Sequence, residues 1–260
     1  MSTNPYAAPK AVVADDTVIA TGDFVPGGQS LPAGRAWAWI TDAWDLFKRQ
    51  PGLWIGMVLL LFVVFVGIGL IPFLGSLVLT LLGPVFAGGL VIGCRALDEG
   101  GQLELSHLFA GFQERAGTLV GVGALYLAAS LVVMLVVGLA MGVGMGAMMG
   151  AGDPAQTQGR ELTILLAVLV MTALLLPAVM AVWFAAPLVV FHQLNALEAM
   201  KQSFSGCLKN IVPFLLYGAI LLVLSVLASL PLLLGWLVLG PVLAASLYTG
   251  YRDIYIKPRA

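Results

Sequence analysis

The chain has 260 residues, 60% of them apolar and only 10% charged, with a mean hydropathy of +1.02. A soluble domain carries about a quarter of its residues charged, so this composition excludes a water-soluble fold and makes lipid the solvent. The net charge of −1 offers no basic field for nucleic acid, which is not expected as a partner.

Residues 1–34 mix Pro, Gly, Ala, Ser and scattered charge without periodicity, which predicts a disordered cytoplasmic tail. Its start, Asn4-Pro5-Tyr6-Ala7-Ala8-Pro9, is an extended, polyproline-like stretch of the kind that partner grooves hold. No charged region leads directly into an apolar core, so no cleaved signal peptide is expected. Trp37, Ile40, Trp44 and Phe47 then recur at i, i+3, i+7 and i+10, with Asp42, Asp45, Lys48 and Arg49 elsewhere around the turn. This predicts a helix lying in the membrane interface, with Trp37, Trp44, Phe47, Lys48 and Arg49 as its interfacial residues.

A charge near the bilayer centre is costly, so the long uncharged runs are assigned to the membrane. Leu53 to Cys94 runs 42 residues without a charge, about twice the roughly 20 that one crossing needs. It must be a hairpin, broken at Pro72 and Gly75. Ala116 to Gly152 and Leu162 to Phe191 form a second hairpin, and Ile211 to Tyr251, broken at Leu230-Pro231, a third. The expected fold is all-α and polytopic: six transmembrane helices as three hairpins in a domain spanning 35–260, with interfacial amphipathic helices. Leu105, Leu108 and Phe112 precede the second hairpin, and Leu194, Leu197, Met200, Phe204 and Leu208 the third. Packing of these segments on the bundle as plain connectors is an equal reading.

GPVFAGGLVIGCR (83–95) and GPVLAASLYTGYR (240–252) match at seven of 13 positions, which predicts an internal repeat over 37–98 and 194–255. Gly83, Pro84, Gly240 and Pro241 are the helix-packing residues this implies. In the middle unit only Ala186-Pro187 stands in a comparable place. Gly138, Gly142, Gly146 and Gly150 recur every four residues, which forms a ridge for helix contact and a homo-oligomer if helical, or belongs to an outer loop.

Arg35, Lys48, Arg49, Arg95, Arg115, Lys201, Lys209, Arg252, Lys257 and Arg259 fall on the face of the termini, and only Arg160 opposite. The positive-inside rule puts both termini in the cytoplasm. No span has an ionisable residue in its interior, which argues against proton relays and intramembrane catalysis. Glu104, His107, Glu114, His192 and Glu198 remain as interfacial candidates for an enzyme. Cys94, His107, His192 and Cys207 could supply a tetrahedral zinc set, but their spacing follows no compact motif, and they are expected to be separate residues with no metal and no cofactor.

Asn4-Pro5-Tyr6, Trp44-x-Leu46-Phe47-Lys48, Gly83-Pro84 and Leu108-Phe109-x-Gly111-Phe112 resemble a family of proteobacterial multi-pass inner-membrane proteins of uncharacterised activity. Pro187 through Glu198-Ala199-x-Lys201-x-Ser203-Phe204 also looks like the membrane domain found beside some bacterial glycerophosphodiester phosphodiesterases. That resemblance implies a membrane scaffold only. The resulting expectation is a non-enzymatic inner-membrane protein that organises membrane lipids or a protein partner through its tail and interfacial helices. The alternative is a channel or transporter for a neutral or lipid-like solute.

Overall fold

The computed structural model describes residues 22–149 and 156–258. The chain is an all-α polytopic membrane protein. Its helices are α1 (Arg35–Arg49), α2 (Pro51–Gly69), α3 (Leu74–Asp98), a 3-10 turn (Leu105–Phe109) running into the short α4 (Ala110–Glu114), α5 (Ala116–Met149), α6 (Gln156–Trp183), α7 (Ala185–His192), α8 (Ala196–Lys209), α9 (Ile211–Ser229) and α10 (Trp236–Tyr255). Two short strands, β1 (Gly22–Phe24) and β2 (Ile256–Pro258), pair antiparallel.

Among the described residues, five stretches are long and apolar enough to cross a membrane: α2, α3, Ala116–Ala140 of α5, Ile164–His192 of α6 and α7, and α9. Over the 18 residues that qualify each stretch, at most 39% are buried within the chain. Leu70, Phe73 and Leu232 are among the most exposed side chains. Such a surface is stable only against hydrocarbon. The expected sixth span, α10, is 20 residues long but falls outside the set because its last two turns carry Thr249, Arg252 and Asp253.

One sequence of elements occurs three times. An amphipathic segment (α1, the 3-10 turn with α4, or α8) ends at one non-helical residue, and a membrane helix starts immediately after it. The junction residues are Gln50 (φ −146°), Arg115 (φ −142°) and Asn210 (φ −119°). A second long helix then returns: α3, α6 with α7, or α10. α3 ends 14 residues after Pro84 and α10 ends 14 after Pro241. In the middle unit the returning helix breaks at Phe184, because Pro187 has no N–H for the Trp183 carbonyl. Ser203 heals the break: its Oγ accepts from Phe184 N (2.9 Å) and donates to the Met180 carbonyl (2.6 Å).

Each junction side chain reaches the segment that leads into the next unit. Gln50 Oε1 accepts from Leu103 N (2.7 Å), Arg115 Nη2 donates to Gln193 O (2.7 Å), and Asn210 Oδ1 accepts from Leu31 N (2.8 Å). The third of these links closes the ring, unit three back to unit one. Residues 22–34, expected in the disordered tail, are therefore ordered. Val25 N donates to Tyr255 O (2.8 Å), Gln29 N to Ile254 O (2.9 Å), and Asn210 Nδ2 to Gln29 O (2.8 Å). Composition missed this because the segment's partners, the Asn210 side chain and backbone carbonyls at the end of α10, lie more than 170 residues away in sequence. The Asn4–Pro9 stretch lies outside the described residues.

The expected choice between helix and loop after Ala116 falls to helix, since α5 continues through Met149. A Cβ on Gly138 would meet nothing within 4 Å, so this position is in open surroundings, and Gly150 lies outside the described residues.

Candidate functional site

The three units frame a partly open apolar cavity of about 600 Å3 lined by residues of α3, α5, α6, α7, α9 and α10. Ala87, Ala186 and Ala244 line it from the returning helix of each unit. Small side chains there leave the volume open. Among the described residues none of its lining side chains is charged. Of its polar groups, the Thr80 hydroxyl donates to Ser76 O (2.8 Å), and Tyr217 Oη lies 2.5 Å from Ser246 Oγ. These two hydroxyls are thereby already paired; Tyr126 and Trp183 also line the cavity, and its mostly apolar walls hold an occupant chiefly by apolar contact.

Gly83 lines this cavity, and a Cβ on it would meet nothing within 4 Å. The expectation that it packs two helices together is corrected: the space beside it is the cavity. Pro84 and Pro241 are buried, and a Cβ on Gly240 would reach Val58 of α2 at an ordinary 3.5 Å. A close helix approach of this kind is at Gly123 of α5, where a Cβ would lie 2.7 Å from the Thr80 carbonyl oxygen and 2.8 Å from Leu81 Cα. Pro84 has no N–H to give that carbonyl, so α3 is bared where α5 comes close.

The predicted interfacial stripe divides into two faces. Ala36, Trp39, Ile40, Ala43, Leu46 and Phe47 are buried, whereas Trp37 and Trp44 are 56% and 43% exposed, with Lys48 and Arg49 beside them. Phe47, expected at the interface, is thus a core residue. These four positions share a stripe only about 80° wide, which straddles the edge between the buried and the exposed face. The same division recurs: Leu105, Phe109 and Phe112 are exposed around a buried Leu108, and Leu197 and Leu208 are exposed while Met200 is buried. All three amphipathic segments therefore carry an inner and an outer apolar stripe.

A polar cluster joins α1, α3 and α10 at the end of the bundle that carries α1. Arg252 Nη1 lies 2.7 Å from both carboxylate oxygens of Asp98, and its Nη2 is 3.2 Å from Asp42. Arg35 forms a forked pair with Asp253 (2.6 Å for both bonds), and Trp39 Nε1 donates to the same carboxylate at 2.9 Å. The hydrogen bond to Asp253 raises the Arg35 pKa and keeps its guanidinium charged. Burial pushes the Asp42 carboxyl above its ordinary value, against the pull of Arg252. These partnerships give the cluster a structural role.

Of the enzyme and zinc candidates, His107, His192, Cys207 and Glu198 have local partners. His107 Nδ1 accepts from Glu104 N (3.0 Å), His192 Nε2 is 2.6 Å from Tyr251 Oη with its ring stacked on Phe24 (3.7 Å), and Cys207 Sγ faces Met180 O (3.5 Å). Glu198 accepts from Gln202 Nε2 (2.8 Å). Cys94 is fully buried, and among the described residues no group of three His, Cys, Asp or Glu is placed to hold a metal ion.

The sequence did not single out Trp39, Gly123, Trp183, Tyr217, Ala87 or Ala244, and named Ala186 only for its place beside Pro187. A signal existed for two of them, because Ala87 and Ala244 are identical positions of the matched 13-residue stretches.

The chain is 26% identical over 196 residues to a probable inner membrane protein of Burkholderia thailandensis, covering 72% of each. No family model matches the chain. No solved structure matches it either.

Proposed function

We propose that this chain is a bacterial inner-membrane protein, not an enzyme, that holds a neutral, lipid-like molecule in its central cavity. The carrying observation is the cavity itself. Its volume falls within the roughly 300–1,000 Å3 of small-ligand sites, and its walls are predominantly apolar. The Burkholderia relative and the ten-to-one bias of basic residues support the location, with six crossings and both termini in the cytoplasm. The test is native mass spectrometry of the full chain released from native membranes. One retained lipid or other apolar molecule per chain, lost in Gly83→Leu, supports the reading, and an empty wild-type chain overturns it.

A second reading, an organiser of membrane lipids or of a protein partner bound by the N-terminal tail, draws on the outer stripes of the three amphipathic segments. Crosslinking and pulldown from native membranes, with and without residues 1–21, tests it. A captured partner set that does not change on removing those residues would end the tail's part in it.

A further inference from the structure

We propose that a hydrocarbon chain of a bilayer lipid reaches the central cavity sideways, through the seam between α6 and α9. This rests on the cavity being a lipid-like site and adds its route of access.

The three-unit ring creates three comparable seams, each between the returning helix of one unit and the first membrane helix of the next: α3 with α5, α6 with α9, and α10 with α2. The residue eight positions past each junction marks them: Gly123, Gly218 and Val58. Two seams are closed. Gly123 abuts the backbone of Thr80 and Leu81, and Val58 Cγ1 would lie 3.5 Å from a Cβ on Gly240. At the third seam a Cβ on Gly218 would meet nothing within 4 Å. α6 packs on α5 and α8, and α9 on α1 and α10, so between them a second apolar cavity of about 280 Å3 remains.

This outer cavity and the central one share Val179, Trp183, Tyr217 and Leu221. Those four side chains are the partition. Trp183 is 38% exposed and meets Phe214 edge-on at 6.1 Å, while Tyr217 is buried and tethered to Ser246. Trp183 is thus the member of the partition with freedom to swing. Leu215, at 69% exposure, also lines the outer cavity and faces the surroundings.

The occupant follows from the medium. A gap among membrane-spanning helices is bathed in hydrocarbon, and a peptide or water there would leave polar groups unpaired, so an acyl chain is the species that fills it. Cys207 and Ile211 line the outer cavity near the junction of α8 and α9, which assigns the chain to the leaflet on the α8 side.

The experiment uses the full chain in nanodiscs containing phospholipid with a diazirine at mid-chain, mapping the photolabelled residues and following exchange of the retained lipid by native mass spectrometry. Labelling is expected on α6 and α9 around Trp183 and Leu221. Leu221→Trp should slow exchange at least about tenfold and Trp183→Ala should speed it, with Leu59→Trp on the outer face of α2 leaving it unchanged. Retained lipid whose exchange responds to neither Leu221→Trp nor Trp183→Ala overturns the route while the cavity reading stands. A wild-type chain that retains no lipid overturns both. If Leu221→Trp does not assemble, Trp183→Ala decides, since removing bulk at a half-exposed site leaves the fold intact, and unchanged exchange there is a refutation.

Discussion

Arg252 on α10 grips Asp98 on α3 with one nitrogen 2.7 Å from both carboxylate oxygens, and Tyr248 Oη donates to the same carboxylate at 3.0 Å. The returning helices of units one and three are thereby pinned together next to the equivalent Arg95, which pairs with Glu99 at 2.7 Å and lies over the Phe191 ring. Asp98→Ala removes the Tyr248 partner and leaves Arg252 with Asp42 alone. Because the pair is about a quarter exposed, the loss should be about 1–2 kcal/mol, or a fall in melting temperature of a few degrees in detergent. An unchanged melting curve would show that Asp42 alone suffices for Arg252.

Gly123→Ala places a methyl against the α3 backbone, which cannot yield as a side-chain tip does. It should cost about 1–3 kcal/mol. Gly138→Ala, in open surroundings on the same helix, should be neutral or gain up to about 1 kcal/mol from helix propensity. Thermal unfolding of the two variants side by side separates these outcomes, and equal curves would refute the close α3–α5 approach.

Asn210 is fully buried and holds Leu31 N, Gln29 O and Gly206 O. Replacing it with Ala should weaken docking of residues 25–31 by about 1–3 kcal/mol, read as faster hydrogen exchange confined to that segment. Exchange that rises instead across α9 would mean that Asn210 serves the helix start and not the strap.

Trp37 and Trp44 face outward. Spin labels at 37 and 44, in a Cys94→Ala/Cys207→Ala background, should show accessibility to oxygen over aqueous nickel typical of the headgroup boundary. Aqueous accessibility at both would leave the outer stripe for a protein partner.

Cysteine labelling at positions 35, 100 and 257 from the cytoplasm, and at 155 from the opposite side, tests six crossings. Labelling of 155 from the cytoplasm would defeat that topology.

The hairpins were legible in the sequence because exclusion of charge from hydrocarbon is a strong, local constraint, and Pro72 and Leu230-Pro231 mark their turns. The Gly83-Pro84 and Gly240-Pro241 match exposed the likeness of units one and three. The middle unit hid its likeness, since its returning helix breaks at Phe184 and its amphipathic segment is a 3-10 turn with one short helix. The cavity was not legible at all. Alanine and glycine read the same whether they admit a neighbouring helix, as Gly123 does, or leave a void, as Gly83 does.

The strap of residues 22–31 is held by α8, by Asn210 and by the end of α10, all made long after it. During synthesis it emerges first and has nothing to dock on until the last helix is in the membrane. Its closure therefore reports completion: the ring can be sealed only on a chain whose third unit is fully inserted, and a chain truncated before Tyr255 keeps that segment open to proteases.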